Sequence, residues 1–215
     1  MHACLAPSGF PPARPFAELR IDVLLPPWGV ESELRRLQAR MRRAGDPLCG
    51  LPTIGTPLSG FAFRYREADG EQYVYVEDLA RRQLAGYTVF NRLVELGRQA
   101  DLHLRAPHSK YSRHYQRRGI GSAVYRWALE RGMCLITGAR QSVAAHSLWH
   151  SLSARYELGY VDLRDRKLSY LGRHIAPALL ADFHARMILL GRGWTLDRFA
   201  CETGARVDEA AQAVI

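Results

Sequence analysis

Near residue 116 the apolar pattern of this chain changes period, and a glycine-containing turn stands at the change. Before it, Phe61, Phe63 and Tyr65 alternate with smaller or polar residues, Asp69-Gly70 supplies a turn dipeptide, and Tyr73 and Tyr75 alternate again. That segment predicts a β-hairpin. Residues 84–94 and 101–105 read as further strands of an antiparallel meander. Beyond the turn, Val124, Trp127, Ala128 and Arg131 fall at helical spacing over 121–131, and residues 133–137 read as a short apolar strand. Ala145, Leu148, Leu152 and Tyr156 then mark one face of a helix over 142–156. Residues 158–162 and 167–171 read as two strands joined at Arg164-Asp165-Arg166. Meander, loop, helix, strand, helix, strands is the order of an α/β (α+β) chain with a mixed sheet.

The turn is Gln116-Arg117-Arg118-Gly119-Ile120-Gly121, between a predicted strand and a predicted helix. Backbone N–H groups at such a point have no partner within the helix, and they converge with the helix dipole on one spot. That spot favours phosphate. Gly119 and Gly121 lack Cβ atoms, so a pyrophosphate can approach the backbone, and Arg113, Arg117 and Arg118 add charge around it. An ordinary glycine turn with solvated arginines has the same composition.

The net charge of +9 is nearly all arginine, since Lys110 and Lys167 are the chain's only lysines. Guanidinium forks suit phosphate and carboxylate, so the excess fits a phosphate-rich ligand, a nucleic acid (tRNA or DNA), or a solvated basic surface. Cys4, Cys49, Cys134 and Cys201 are far apart, which argues against a zinc site and a disulfide scaffold and points to a reducing, cytoplasmic setting. No long apolar run or leader-like segment is present, so neither a membrane span nor a signal peptide is expected.

At the N-terminal end, Pro7, Pro11, Pro12, Pro15, Pro26 and Pro27 break residues 1–30, apart from one short strand over Leu19 to Leu25. Residues 31–43 predict a helix with Leu34, Leu37 and Met41 on one face and five arginines around the rest, which could meet a polyanion. At the other end, Pro177 to Leu190 reads as a helix with Leu180, Phe183, Met187 and Leu190 on one face. Thr195 to Gly204 and Val207 to Ile215 read as two short helices joined at Gly204, a packing or oligomerisation appendage more than a DNA reader.

The stretch His114 to Tyr125 resembles motif A of the GNAT superfamily of acyl-CoA-dependent N-acetyltransferases, in which Q/R-x-x-G-x-G/A holds the acyl-CoA pyrophosphate. Ala145-His146-Ser147-Leu148-Trp149 resembles the family's second signature, an A-x-x-L-Y run. The resemblance implies a GNAT-like mixed, splayed β-sheet flanked by helices, whose fourth and fifth strands part to admit pantetheine. It divides the chain into an N-terminal extension (1–58), a core (59–172) and a helical C-terminal extension (173–215). It implies acetyl-CoA as acyl donor and a primary amine as acceptor. Gln116, Arg117, Arg118, Gly119, Ile120, Gly121 and Ser122 would take the pyrophosphate, Leu104 and Arg105 the pantetheine, and Ser142 and Trp149 further parts of the cofactor.

Trp149 stands where the family often has a tyrosine that protonates the departing thiolate, a task an indole N–H cannot perform. Tyr156 and Ser153 are then candidates for that role, His146 and His150 for acid–base work, and Glu67 or Glu77 for the general base. His146 and His150 have metal-ligand spacing but no H-E-x-x-H, so no metal is expected. The basic, aromatic segment Pro107 to Tyr115 reads as a loop over the cofactor or the acceptor. A tRNA- or DNA-directed protein on the same scaffold, a non-catalytic acyl-CoA binder and a homodimer remain alternatives.

Overall fold

In the computed structural model, which describes residues 27–139, 141–176, 179 and 184–207, one ten-stranded mixed sheet runs through the chain. The strands are β1 (Thr53–Ile54), β2 (Phe61–Ala68), β3 (Glu71–Asp78), β4 (Gln83–Asn91), β5 (Leu104–Tyr111), β6 (Cys134–Ile136), β7 (Leu158–Arg164), β8 (Lys167–Gly172), β9 (Ala185–Leu189) and β10 (Arg206–Val207). Their order across the sheet is β1-β2-β3-β4-β5-β6-β9-β7-β8-β10. The helices are α1 (Pro27–Met41), α2 (Arg98–Asp101), α3 (Ile120–Glu130), α4 (Val143–Leu152) and α5 (Leu196–Thr203).

Strands β2 to β5 form the expected meander, and β1 adds an unforeseen two-residue strand at its edge. The β2–β3 hairpin turns at Asp69 and Gly70, with φ of 52° and 76°, the positive pair that a two-residue turn between twisted strands requires. The chain then crosses through α3, so β6 joins β5 in parallel. α1 begins at Pro27, whose missing N–H costs nothing in the first turn.

Three packed layers hold the sheet. On one face α3 and α4 cover Phe63, Val74, Val76, Phe90, Leu135 and Leu189 with Ala123, Val124, Ala128, Leu129, Trp149 and Leu152. On the other face α1 places Leu34 and Leu37 against Tyr73, Tyr75, Leu84, Tyr87 and Val89. Beside it α5 presses Phe199 onto Leu104, Cys134, Val161 and Ile188. Each fully buried side chain of this size contributes about 1.5–3 kcal/mol.

Several sequence expectations change. The strand expected over 101–105 begins later and runs to Tyr111, with α2 before it, so residues 107–111 are strand rather than loop. The last residues of the expected Pro177–Leu190 helix form β9, hydrogen-bonded between β6 and β7. Strand pairing on both edges overrides a helical pattern there, since it leaves no buried backbone group unpaired. The sheet therefore does not end at residue 172. After α5, which is capped by Thr195 and closed by Gly204 at φ 68°, Arg206 and Val207 pair with β8 instead of opening a helix. Within the described part of the N-terminal extension, α1 and β1 pack on the sheet. The Leu19–Leu25 strand and residues 208–215 lie outside the described residues.

Candidate functional site

β5 and β6 share only two register pairs, Leu104 with Cys134 and Arg105 with Leu135. From Ala106 onward β5 keeps β4 on one side and parts from β6 on the other. Strand alternation decides which backbone groups face that gap. Ser112 N donates to Ala85 O at 3.0 Å, so even-numbered residues of β5 bond to β4 and odd-numbered ones point away. Pro107, which has no N–H to give, occupies an odd position. The amides of Ser109 and Tyr111 and the carbonyls of Pro107 and Ser109 thus line the open edge. Leu104 and Arg105 belong instead to the closed part of the strand pair. The open edge is therefore 107–111 and does not include the Leu104 and Arg105 expected to meet the pantetheine.

The turn lies at the far end of that edge. After a single 3-10 turn (Arg113–Tyr115), Arg117 and Gly119 take left-handed φ of 59° and 74°, and α3 starts at Ile120 with no side chain capping it. Its first N–H groups are left for a ligand or for water. A Cβ on Gly119 would meet no atom within 4 Å, so the turn opens outward; a Cβ on Gly121 would come within 3.2 Å of Leu148 Cδ1. Gly121 therefore also serves α3–α4 packing. Gln116 Nε2 donates to Tyr111 O at 3.1 Å and ties the turn to the end of β5.

Tyr115 fixes the turn from below. It is 2% exposed, its hydroxyl donates to Asp78 Oδ2 at 2.8 Å, and it accepts from Gln83 Nε2 at 2.7 Å. The backbone N–H of Arg81 at 2.9 Å from Asp78 Oδ1, with Tyr115 also helping, holds that carboxyl below its ordinary pKa. The guanidinium groups of Arg118 and Arg81 lie 5.7 and 6.0 Å from the Tyr115 ring centre. Arg81 thus joins Arg113, Arg117 and Arg118 at the turn, a member the sequence reading missed because it lies in the β3–β4 connection. Replacing Asp78 with alanine is expected to free Tyr115 and the turn, weakening acetyl-CoA binding several-fold in calorimetric titration; unchanged affinity would separate this anchor from the site.

On the α3 side of the gap the hydroxyls of Thr88, Ser109 and Tyr111 form a cluster. Thr88 Oγ1 is 2.8 Å from both Ser109 Oγ and Tyr111 Oη. Burial pushes the Tyr111 phenol far up and the Tyr125 phenol up to about 12. Gly86 makes this possible, since a Cβ there would stand 2.2 Å from the Tyr111 ring. On the opposite face stands His108, half-buried as a residue, with a buried Nε2 that has no hydrogen-bond partner among the described residues. Burial lowers its pKa, and Lys110 lowers it further against the opposing charge of Glu33. Lys110 Nζ is 3.0 Å from Glu33 Oε2, and Tyr87 Oη donates to Glu33 Oε1 at 2.6 Å.

The other sequence candidates lie elsewhere. Tyr156 donates to Glu130 Oε1 at 2.6 Å, at the C-terminal end of α3, about 15 Å along the helix from the turn. Burial, then Glu130, raises its phenol to about 12. Trp149 is 2% exposed and packs in the core. Ser142 caps α4 by accepting Ala145 N at 3.2 Å. His146 and His150 are exposed and meet edge to face with ring centres 4.4 Å apart, with no third ligand among the described residues. Glu67 accepts from Tyr65 Oη at 3.3 Å and lines a cavity of about 300 Å³ with His103, Arg105 and Arg131, at the C-terminal end of α3. Glu77 is paired with Arg64 at 3.0 Å.

No family model matches the chain, and no curated protein matches it. Solved structures do. A GNAT superfamily phosphinothricin acetyltransferase from Sinorhizobium meliloti in complex with AcCoA is 20% identical over 58% of this chain and 63% of its own, with a TM-score of 0.37. A putative GnaT-family acetyltransferase from Bordetella pertussis is 18% identical over 58% and 66%, with a TM-score of 0.35. A ribosomal-protein-S5-alanine acetyltransferase from Vibrio fischeri is 10% identical over 58% and 64%, with a TM-score of 0.34. The chain spans less than two thirds of the length of each of these three. Scores of this size describe a partial likeness, and the chain's own geometry carries the functional reading.

Proposed function

We propose that this chain is a GNAT-type N-acyltransferase that moves an acetyl group from acetyl-CoA to a primary amine. The supporting observation is the parting of β5 from β6 beside an uncapped, arginine-ringed helix start. Gln116 to Ser122 and Arg81 take the pyrophosphate and nearby phosphate charge. The open edge of Pro107 to Tyr111 pairs with the pantetheine amides as a strand would.

The acceptor approaches from the other face, where His108 stands. The amine gives a proton to His108 Nε2 and its nitrogen bonds to the acyl carbon. The carbon–sulfur bond then breaks, and the departing thiolate takes a proton from water, which the His108 imidazolium replaces. In this mechanism Tyr156 and Trp149 take no part.

Acetyl-CoA at one hundred times its Kd is expected to add about 2.7 kcal/mol of stability, read as a rise in Tm. No rise at millimolar acetyl-CoA would sink the proposal.

A further inference from the structure

The face of the sheet opposite α3 and α4 carries a second polar group at the same gap. Leu104 and Ala106 of β5, and Ile188 and Leu190 at the end of β9, pack into the core beneath α5. His108 and Arg186 continue those two even-numbered series, so they share that face. The registers also place them level. Three residues on from Arg105–Leu135 the count brings β5 to His108, where β5 has already parted from β6, and two residues on from Ile136–Ile188 Arg186 falls opposite position 138 of the intervening chain. That position is Gly138, which adds no side chain, and β6 has already ended at Ile136. Two strand spacings would be about 10 Å in a closed sheet, and the parting of β5 from β6 sets the backbones that bear His108 and Arg186 wider than that.

Arg186 is 4% exposed, yet its Nε has no hydrogen-bond partner among the described residues. Its Nη1 makes a long contact with Ala185 O at 3.4 Å, and its Nη2 reaches the exposed Glu95 at 3.3 Å. A buried guanidinium held by one surface carboxylate and a long carbonyl contact is a costly way to build a core. It is well suited to receive an oxyanion, because the planar fork offers paired donors that match a carboxylate.

We propose that the amine acceptor carries a carboxylate, which Arg186 binds while the amine meets His108 across Gly138. A small amino acid, with amine and acid a few ångströms apart, bridges two long side chains reaching toward each other across the parted strands. A polycationic amine would instead set its positive charges against the buried guanidinium of Arg186. This inference rests on the acyltransferase reading.

The test compares α-amino acids with their decarboxylated amines, using acetyl-CoA and the full chain. The wild type should favour the acids by about 100-fold or more in kcat/KM, since a buried polar site rejects a ligand lacking its partner. Arg186→Gln should remove that preference, lowering kcat/KM for the acids about 100-fold and for the plain amines less than 3-fold. Arg186→Lys should restore part of it. Acetyl-CoA binding by thermal shift should not change in either variant. Equal use of acids and amines by the wild type, or equal losses for both in Arg186→Gln, overturns the carboxylate anchor and leaves the acyltransferase standing. Failure of the wild type to bind acetyl-CoA removes the acyltransferase itself. If Arg186→Gln does not fold, the wild-type preference and Arg186→Lys decide the matter.

Discussion

Replacing His108 with alanine is expected to lower kcat about 10²- to 10⁴-fold while leaving acetyl-CoA affinity within about 2-fold. The expectation follows from an imidazole whose Nε2 has no partner among the described residues, on the strand that borders the gap. The pH dependence has a definite sign. Burial first, and Lys110 second, disfavour the imidazolium, so His108 is neutral and able to accept a proton down to pH values below the ordinary histidine range. The acid limb of kcat/KM should therefore fall below about pH 6.5, with activity lost as pH drops through it. The same depression makes the folded state favour the neutral ring. Its contribution to stability is complete above about pH 6.5 and disappears as pH falls through the folded value. In His108→Ala the limb should vanish and added imidazole should restore part of the rate. An unchanged kcat with the same limb would remove His108 from the reaction.

His108 was not legible in the sequence, for a physical reason. β5 carries Leu104, Ala106, His108 and Lys110 toward one face and Arg105, Pro107, Ser109 and Tyr111 toward the other. No apolar alternation survives, because Lys110 is buried only by virtue of Glu33, far away in α1. The segment therefore reads as a basic loop. β9 is misread in the opposite way: Met187 and Leu190 fit a helical stripe, and only pairing with β6 and β7 makes the segment a strand. Arg186 looks like one more arginine in an arginine-rich chain until its burial is known.

What the sequence did carry was local. Asp69-Gly70, the glycine turn, Thr195 and Gly204 each act through their own backbone, so the hairpin, the start of α3 and the ends of α5 were foreseeable. The Gln116–Gly121 motif also fixed the place of the turn. The proposed acceptor side, built from α1, β5 and β9, depends on contacts between residues far apart in the chain, and no local pattern encodes it.

Lys110→Met is expected to be among the most destabilising substitutions in the chain, at about 3–5 kcal/mol, because it strands the Glu33 carboxylate in the interior. Both side chains are buried, with 7% and 6% exposure, so solvent offers little screening. For a chain of this length the change corresponds to a fall in Tm of roughly 10 °C, read by calorimetry. Adding Glu33→Leu to Lys110→Met should recover much of the loss, since it removes the unpaired charge. Recovery stays incomplete while the Tyr87 hydroxyl lacks its acceptor, and Tyr87→Phe should supply most of the remainder. Full stability in Lys110→Met alone would mean that the pair contributes nothing. The pair also acts on His108 with opposite signs, Lys110 lowering its pKa and Glu33 raising it. Lys110→Met should therefore move the acid limb of kcat/KM upward, and Glu33→Gln should move it downward. A pair that served only to hold α1 on the sheet would change Tm in both variants without displacing the limb in opposite directions.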